Sequence, residues 1–372
     1  MRDFYESLCE AAGGEAVRAD EPMAAHTTFR TGGKAAFFAA VQNEAALRRV
    51  TLLCRERGVP FYLLGNGSNL LVGSRGYDGV MIKLEGEFLG CSLEKERDAV
   101  CEKDGNKGQA AGGRLPLRTA EDGSVTVCAG AGILLSRIGR LAMENGLTGF
   151  EFAAGIPGTL GGAVVMNAGA YGGEMKDILS SVRVMEREGQ IRELPAQELA
   201  LSYRHSCVPE RGLTVLSARL TLRKGEEGKI RARMEELSAA RREKQPLEYP
   251  SAGSTFKRPE GYFAGKLIQD AGLKGYSVGG AQVSEKHAGF VINRNQATPE
   301  DIRALIEEVQ KRVWETSGVC LEPEVKFLGF ENENRQQELF RGRQGGRRCR
   351  EGVDYASCHR NGNERSRKDG SP

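Results

Sequence analysis

The spacing of apolar side chains predicts amphipathic helices in three stretches of the chain. In the first of them, Leu47, Val50 and Leu53 recur with a helical period, and Gly58 then ends the segment. The same apolar period recurs twice further along the sequence. The three predicted helices are 44–57, 133–145 and 229–245.

A fourth helix is predicted by its start signal. Thr298 is a favourable N-cap, Pro299 suits the first turn, and the two acids that follow face the positive end of the helix dipole. Gly318 ends this helix. Its apolar stripe consists of Ile302, Leu305, Ile306, Val309 and Val313.

Short apolar runs bounded by glycine and polar residues predict the strands. These runs are 61–64, 80–84, 125–129, 182–185 and 216–222, with a last strand-like segment within 320–328. Two stretches lack such periodicity. Residues 91–124 are rich in charged and small residues, so we expect a flexible insertion between two strands. Residues 331–372 are almost without apolar side chains, so we expect a disordered tail.

Charge and cysteine placement narrow the class of protein. The 372 residues carry 53 Lys and Arg against 50 Asp and Glu, a balance that argues against a nucleic-acid partner. The nine cysteines are scattered without a CxxC pair, which fits a reducing cytosol and gives no zinc-binding pattern. The sequence shows neither a signal peptide nor a membrane helix. We therefore expect a cytoplasmic protein with no metal site and no membrane partner.

Two glycine-rich segments are suited to close approach by a large ligand. The first, 65–69, follows a strand, and successive N–H groups in such a turn can cradle a pyrophosphate. It is not a Rossmann motif, because Leu70 replaces the third glycine and the chain continues as an apolar strand. The second, 150–173, has so little side-chain volume that it lies against another backbone or along a ligand. The residues alone leave structural turns and close packing open for both segments.

Two further groups of polar residues are candidates for chemistry. Ser254 and Lys257 match the Ser-x-x-Lys motif of some serine hydrolases, but the Ser-Asp-Asn and Lys-Thr-Gly motifs of those enzymes are absent. Arg204 and Glu324 read as ordinary surface charges or as a structural ion pair. Nothing in the sequence by itself brings these two residues together.

Six motifs, in this order, resemble the UDP-N-acetylenolpyruvoylglucosamine reductase family. They begin at Gly65 (Gly-x-Gly-Ser-Asn-Leu-Leu-Val), Gly155 (Gly-Ile-Pro-Gly-Thr-Leu-Gly-Gly-Ala), Asn167 (Asn-Ala-Gly-Ala-Tyr-Gly), Tyr203 (Tyr-Arg-x-Ser), Ala252 (Ala-Gly-Ser-x-Phe-Lys) and Glu322 (Glu-Pro-Glu-Val). The resemblance runs from about His26 to Gly329, and the segment 280–290 is similar to the shorter variant of the family, which lacks an extra tyrosine-bearing loop.

The resemblance implies both a fold and a reaction. The implied fold class is α+β, with a two-part FAD-binding domain of the vanillyl-alcohol-oxidase/PCMH type at 1–225 and a C-terminal α+β substrate domain at 226–330. The implied reaction is the reduction of UDP-N-acetylglucosamine enolpyruvate to UDP-N-acetylmuramate, with non-covalent FAD as cofactor and NADPH as reductant. A monomer is expected.

The resemblance also implies roles for particular residues. Ser254 would be the general acid that protonates C2 of the substrate, while Arg204 and Glu324 would stabilise the enolate-like intermediate. The implied FAD contacts are Gly65, Asn66, Gly67, Ser68, Asn69, Gly155, Ile156, Pro157, Gly158, Thr159, Gly162, Ala163 and Asn167. The implied substrate contacts are Tyr203, Lys244 and Lys257.

Two other functions stay open at this point. One is a different FAD-dependent oxidoreductase of the same flavin-binding fold, in which the flavin is often covalently attached. The other is a flavin-binding sensor without turnover, for which the basic tail 331–372 would be the interaction arm.

Overall fold

Helices and strands alternate irregularly along the chain. The computed structural model describes residues 2–14, 16–94, 119–120 and 122–330. The helices are α1 (Arg2–Ala12), α2 (Glu44–Glu56), α3 (Leu135–Glu144), α4 (Leu160–Val165), α5 (Glu227–Lys244), α6 (Ala264–Asp270) and α7 (Pro299–Ser317). The strands are β1 (Val17–Pro22), β2 (Lys34–Val41), β3 (Phe61–Leu64), β4 (Leu70–Val72), β5 (Tyr77–Leu84), β6 (Cys91–Leu93), β7 (Ser124–Gly130), β8 (Leu147–Thr148), β9 (Gly169–Ala170), β10 (Gly173–Glu174), β11 (Leu179–Met185), β12 (Ile191–Pro195), β13 (Thr214–Lys224), β14 (Ser277–Val278), β15 (Ala281–Val283), β16 (Val291–Asn293) and β17 (Lys326–Leu328).

The first sheet has the strand order β1-β2-β5-β3. Strands β2 and β3 both run parallel to β5, and a parallel arrangement needs a crossover, which α2 supplies between β2 and β3. Helix α2 begins at Asn43, whose side chain accepts a hydrogen bond from the Ala46 N–H group at 2.9 Å. The predicted apolar face of this helix is buried, with Leu47 and Val50 fully inaccessible.

The second sheet is antiparallel, in the order β12-β11-β13-β7-β6, with β8 also paired to β13. Its central strand β13 pairs with both β11 and β7, and buried side chains alternate with accessible ones along its second half. Helices α3 and α4 contribute Ile138 and Leu160, both fully buried, to the same core cluster as this sheet. The second glycine-rich segment, 150–173, consists of α4, β9 and the loops around them and reaches the start of β10.

Helix α7 supports the C-terminal part of the chain. All five residues of its predicted apolar stripe are fully buried, in one core cluster with the three-stranded sheet β14-β15-β16. The predicted start is confirmed. The Thr298 hydroxyl accepts from the Asp301 N–H group at 3.1 Å, and the Asp301 carboxylate accepts from the Thr298 N–H group at 3.0 Å.

The parallel pair of β4 and β17 joins the N-terminal half of the chain to the last strand of the C-terminal part. Leu70 pairs with Lys326, two residues after Glu324. Strand β4 follows directly on the first glycine-rich turn, 65–69. This pairing therefore places that turn beside the Glu322-Pro-Glu-Val motif.

Some expectations from the sequence need correction. Residues 91–93, assigned above to the flexible insertion, form strand β6, and Cys91 pairs with Ala129 of β7. The last strand is shorter than expected and covers only Lys326–Leu328. Several elements were not predicted, among them α1, α4, α6, β1 and β2. Residues 95–118 and the tail 331–372 lie outside the described residues, and the domain boundary at residue 225 stays a prediction.

Candidate active site

Arg204 and Glu324 form an ion pair. Arg204 lies on a two-residue turn closed by backbone hydrogen bonds between Ser202 and His205, at 3.2 and 3.1 Å. Its φ of 55° lies in the left-handed region that a side chain rarely adopts, so the turn is held against local strain. The Arg204 Nε donates to the Glu324 Oε1 at 2.8 Å. Of the two alternatives that the sequence left open, surface charges or an ion pair, the structure shows the ion pair.

The pair lies at the edge of a cavity and is largely shielded from solvent. The side chains of Arg204 and Glu324 are 20% and 14% exposed. Burial raises the pKa of Glu324, and the positive charges of Arg204 and Lys257 oppose that rise. A guanidinium held in place by a carboxylate, with its remaining N–H groups near the cavity, is suited to stabilise negative charge on a ligand.

Ser254 faces the same cavity on a segment that runs antiparallel to that of Glu324. The residue after it, Thr255, is fully buried and fixes this segment through three hydrogen bonds. The Thr255 N–H group donates to the Gly289 carbonyl at 2.9 Å, and its carbonyl accepts from the Glu324 N–H group at 2.8 Å. Its hydroxyl accepts from the Val291 N–H group at 3.0 Å. The Ser254 side chain is therefore exposed on a rigid support.

The first cavity has a volume of about 400 Å³ and is lined by Tyr203, Arg204, Ser254 and Glu324. Four cationic residues of its lining were not predicted from the sequence, namely Arg258, Lys266, Lys274 and Lys286. Isolated lysines carry no motif of their own, so no signal in the sequence pointed to them. A cavity with this many cations is suited to an anionic ligand such as a diphosphate.

Two of the expected substrate contacts, Lys257 and Lys244, are not among the lining residues of the first cavity, and their role stays a prediction. Lys257 is paired with the Glu322 carboxylate, beside the cavity rather than among its lining residues. Lys244 is the last residue of α5, is exposed, and lines neither of the two cavities described here. Tyr203 does line the first cavity, and its hydroxyl accepts from the Arg258 N–H group at 3.1 Å.

The two glycine-rich segments meet at the wall of a second cavity. The Asn66 side-chain amide donates to the Pro157 carbonyl at 2.9 Å. A Cβ atom at Gly65 would lie 2.8 Å from the Thr159 hydroxyl, so only glycine allows this approach. The second cavity has a volume of about 520 Å³, and its lining includes Gly65, Asn66, Gly155 and Pro157.

The first glycine-rich turn presents backbone donors. Gly67 has a φ of 62°, and a Cβ atom there would collide with the His26 carbonyl, which packs against the turn. Within the described part of the chain, the N–H groups of Asn66, Gly67 and Ser68 donate no hydrogen bond. Arg30, Lys83 and Arg241 add positive charge to the cavity lining. Free N–H groups with cations nearby fit a pyrophosphate.

The remaining expected flavin residues support the wall of the second cavity rather than line it. The Asn69 amide donates to the Glu324 carbonyl at 3.1 Å, which links the turn to the ion pair. Thr159 caps α4 by accepting from the Gly162 N–H group at 3.4 Å, and Ala163 is buried. Asn167 is fully buried. Ile156, Gly158, Ser68 and Gly67 are likewise absent from that lining, while Ala25, Thr27, Thr28, Tyr249 and Ser251 are lining residues that the sequence analysis missed.

The two cavities meet at consecutive residues. Gly253 lines the second cavity and Ser254 lines the first. A cofactor in the second cavity would therefore lie beside the group that is suited to donate a proton in the first. Among the described residues, no group of three or more His, Cys, Asp or Glu side chains is arranged to hold a metal ion. Likewise, no described helix is long and apolar enough to cross a bilayer.

This fold and site define a flavin-binding oxidoreductase, and the comparisons with known proteins agree. The FAD binding domain family matches residues 116–195, and the C-terminal domain of UDP-N-acetylenolpyruvoylglucosamine reductase matches residues 245–328. A reductase of this name from Agathobacter rectalis is 48% identical over 88% of this chain and 98% of its own length. One from Clostridium perfringens is 46% identical over 88% of this chain and 98% of its own.

A solved structure supports the same assignment. The crystal structure of UDP-N-acetylenolpyruvylglucosamine reductase (MurB) from Thermus caldophilus is 34% identical, covers 82% of this chain and 97% of its own, and has a TM-score of 0.65. The chain therefore belongs to the UDP-N-acetylenolpyruvoylglucosamine reductase family. The predicted family is confirmed, and so is the predicted fold class of an FAD-binding domain with a C-terminal α+β domain.

Proposed function

We propose that this chain reduces UDP-N-acetylglucosamine enolpyruvate to UDP-N-acetylmuramate, with NADPH as reductant and one non-covalent FAD per chain. The observation that carries the proposal is the Arg204–Glu324 pair beside Ser254, in a cavity lined by cations and adjoining the glycine-rich cavity. Bound FAD supplies the hydride that the reaction needs, and NADPH restores it.

The residues of the first cavity divide the chemistry among them. The Arg204 guanidinium stabilises the negative charge that develops on the carboxylate side of the enolpyruvyl group, and Glu324 holds that guanidinium in place. Ser254 donates its hydroxyl proton to C2 of the substrate. The hydrogen bonds of Thr255 hold its segment in place. The lysines at 266, 274 and 286, with Arg258, supply charge for the diphosphate of the sugar nucleotide.

The second cavity is the site that would hold the cofactor. The turn that lines it with Gly65 and Asn66 offers the free N–H groups of Asn66, Gly67 and Ser68 as donors for the pyrophosphate, and Arg30, Lys83 and Arg241 of the lining would add positive charge. The Gly155–Pro157 segment, which forms part of the wall of this cavity, would contact the rest of the cofactor. A cytoplasmic location and a monomeric state stay predictions from the sequence.

The deciding experiment follows NADPH consumption by the full-length, flavin-loaded protein, with and without the enolpyruvyl substrate. We expect rapid consumption only with substrate, and UDP-N-acetylmuramate as the product. Consumption that is indifferent to this substrate supports a different oxidoreductase, and FAD binding without any consumption supports the sensor. Acid precipitation should release the flavin into the supernatant, whereas flavin retained by the precipitate would mean covalent attachment.

A further inference from the structure

Both side-chain N–H donors of Asn167 are used within the protein, and its Oδ1 also accepts a hydrogen bond there. Its Nδ2 donates to the Glu174 Oε2 at 2.9 Å and to the Ser202 carbonyl at 3.0 Å. Its Oδ1 accepts from the Lys176 N–H group at 2.9 Å. An amide has two N–H donors, and both are committed here, so this side chain has none left for a ligand.

One of these bonds holds the turn that carries Arg204. The Ser202 carbonyl accepts from the His205 N–H group to close the turn and from Asn167 at its outer side. Arg204 lies at the tip of this turn with a left-handed φ, a conformation that costs energy and persists only where the surroundings hold it. Without the hydrogen bond from Asn167, only the two hydrogen bonds between Ser202 and His205 would hold the turn in this conformation.

The hydrogen bonds of Asn167 with Glu174 and Lys176 support the hairpin that the Arg204 guanidinium also contacts. Arg204 Nη2 donates to the Gly169 carbonyl at 3.4 Å, and Gly169 pairs with Glu174 in the short hairpin of β9 and β10. Asn167 fixes Glu174 in this hairpin. The hydrogen bond from the Lys176 side chain, assisted by Asn167 and the Arg204 charge, lowers the pKa of Glu174. The guanidinium is thus held by the Glu324 carboxylate on one side and by the Gly169 carbonyl of the hairpin on the other.

We infer that Asn167 is a positioning residue that places the Arg204 guanidinium for the reaction, rather than a contact of the flavin. This inference rests on the proposed function, because Arg204 acts there on the enolpyruvyl substrate. Loss of the amide should let the Arg204 turn and the hairpin of β9 and β10 relax independently. The guanidinium would then be displaced from the place where charge develops.

The test measures the two half-reactions of the flavin-loaded Asn167→Ala variant separately by stopped flow. We expect normal FAD content and normal flavin reduction by NADPH. Reoxidation by the enolpyruvyl substrate should slow by about 10 to 100-fold, the scale expected for a misplaced catalytic group. If Asn167 acts only through Arg204, the same substitution in an Arg204→Lys background should slow reoxidation no further.

Asn43→Ala is a control for the loss of an asparagine hydrogen bond at an exposed position away from the site. It removes an asparagine side chain that also accepts a backbone hydrogen bond, at the cap of α2, and should lower thermal stability while leaving both half-reactions normal. If Asn167→Ala does not fold, Asn167→Ser keeps a small polar group there and should show the same selective slowing. Flavin loss, equal slowing of both half-reactions, or full additivity with Arg204→Lys would overturn the inference.

Failure of the proposed function gives a different result. A wild-type protein that NADPH reduces but the enolpyruvyl substrate does not reoxidise contradicts the function, whatever Asn167 does. A crystal structure of the variant decides the positioning role independently of turnover. We expect the Arg204–Glu324 hydrogen bond to be lost, and an unchanged guanidinium would overturn the inference even if activity fell.

Discussion

Ser254→Ala should separate catalysis from stability at one position. The proposed proton donation occurs only after hydride has left the cofactor, so the substitution should spare flavin reduction by NADPH. Reoxidation by the enolpyruvyl substrate should slow by about 10²–10⁴-fold, the usual contribution of a positioned general acid. This slowing corresponds to about 3–5 kcal/mol of activation free energy.

The stability change expected for Ser254→Ala follows from the surroundings of its side chain and not from its role in catalysis. The Ser254 side chain is exposed in the cavity, and its segment is fixed by the hydrogen bonds of Thr255 rather than by its own hydroxyl. Replacing an exposed side chain of this kind usually changes the free energy of unfolding by no more than about 0.5 kcal/mol. The melting temperature of Ser254→Ala should therefore stay close to that of the wild type.

The neighbouring residue provides the opposite control. Thr255→Val keeps the shape of the side chain but removes the acceptor of the Val291 N–H group, at a site with no solvent access. An unsatisfied buried donor costs about 1–3 kcal/mol, so this variant should melt earlier. Because Ser254 is retained, reoxidation should slow far less than in Ser254→Ala.

Stopped-flow traces of both half-reactions and thermal unfolding of both variants test whether Ser254 acts as the general acid or only supports the turn. If Ser254→Ala slows the two half-reactions equally, or slows neither, Ser254 is not the general acid. A large loss of stability in Ser254→Ala would show instead that its hydroxyl supports the turn.

Three further outcomes are expected elsewhere in the chain. Gly67→Ala should lower both FAD retention and the melting temperature, because a left-handed φ costs a side chain about 1–2 kcal/mol and the new Cβ would collide with the His26 carbonyl; unchanged FAD affinity would contradict the pyrophosphate site. Hydrogen bonds to Glu210 and to a backbone carbonyl raise the pKa of His205, so its stabilisation is present below the ordinary pKa of about 6.5 and is lost as pH rises through the higher folded pKa. Melting curves of wild type and His205→Gln should therefore converge as the pH is raised, and a difference that grows with pH would contradict this. Thr298→Ala should cost about 1 kcal/mol of stability through the lost cap of α7, measured by denaturant unfolding, with turnover unaffected.

Local features of this protein were predictable from the sequence. The start of α7 depends on a capping threonine and an acid three residues later, and its buried stripe depends on a helical period. Both signals are contained within a few neighbouring residues, so the chain needs no distant partner to express them. The motif at Gly65 likewise predicted a turn that presents N–H groups. Strand β2 was missed because four of its eight residues are alanine, which weakens the strand signal of its Phe and Val residues, and its pairing with β1 and β5 gives it burial.

The site itself depends on contacts between segments that are far apart in the sequence. The pairing of β4 with β17 brings Glu324 to the turn after β3, and the antiparallel contact at Thr255 brings Ser254 beside it. The order of motifs along the chain does not tell which residues are close in space. Arg204 and Glu324 could therefore be identified as candidates from the sequence, but their ion pair could not be predicted. Lys244, expected at the substrate from the resemblance, lines neither cavity, so its role stays a prediction. Motif chemistry is local, whereas the shape and charge of a cavity are set by how separate segments pack.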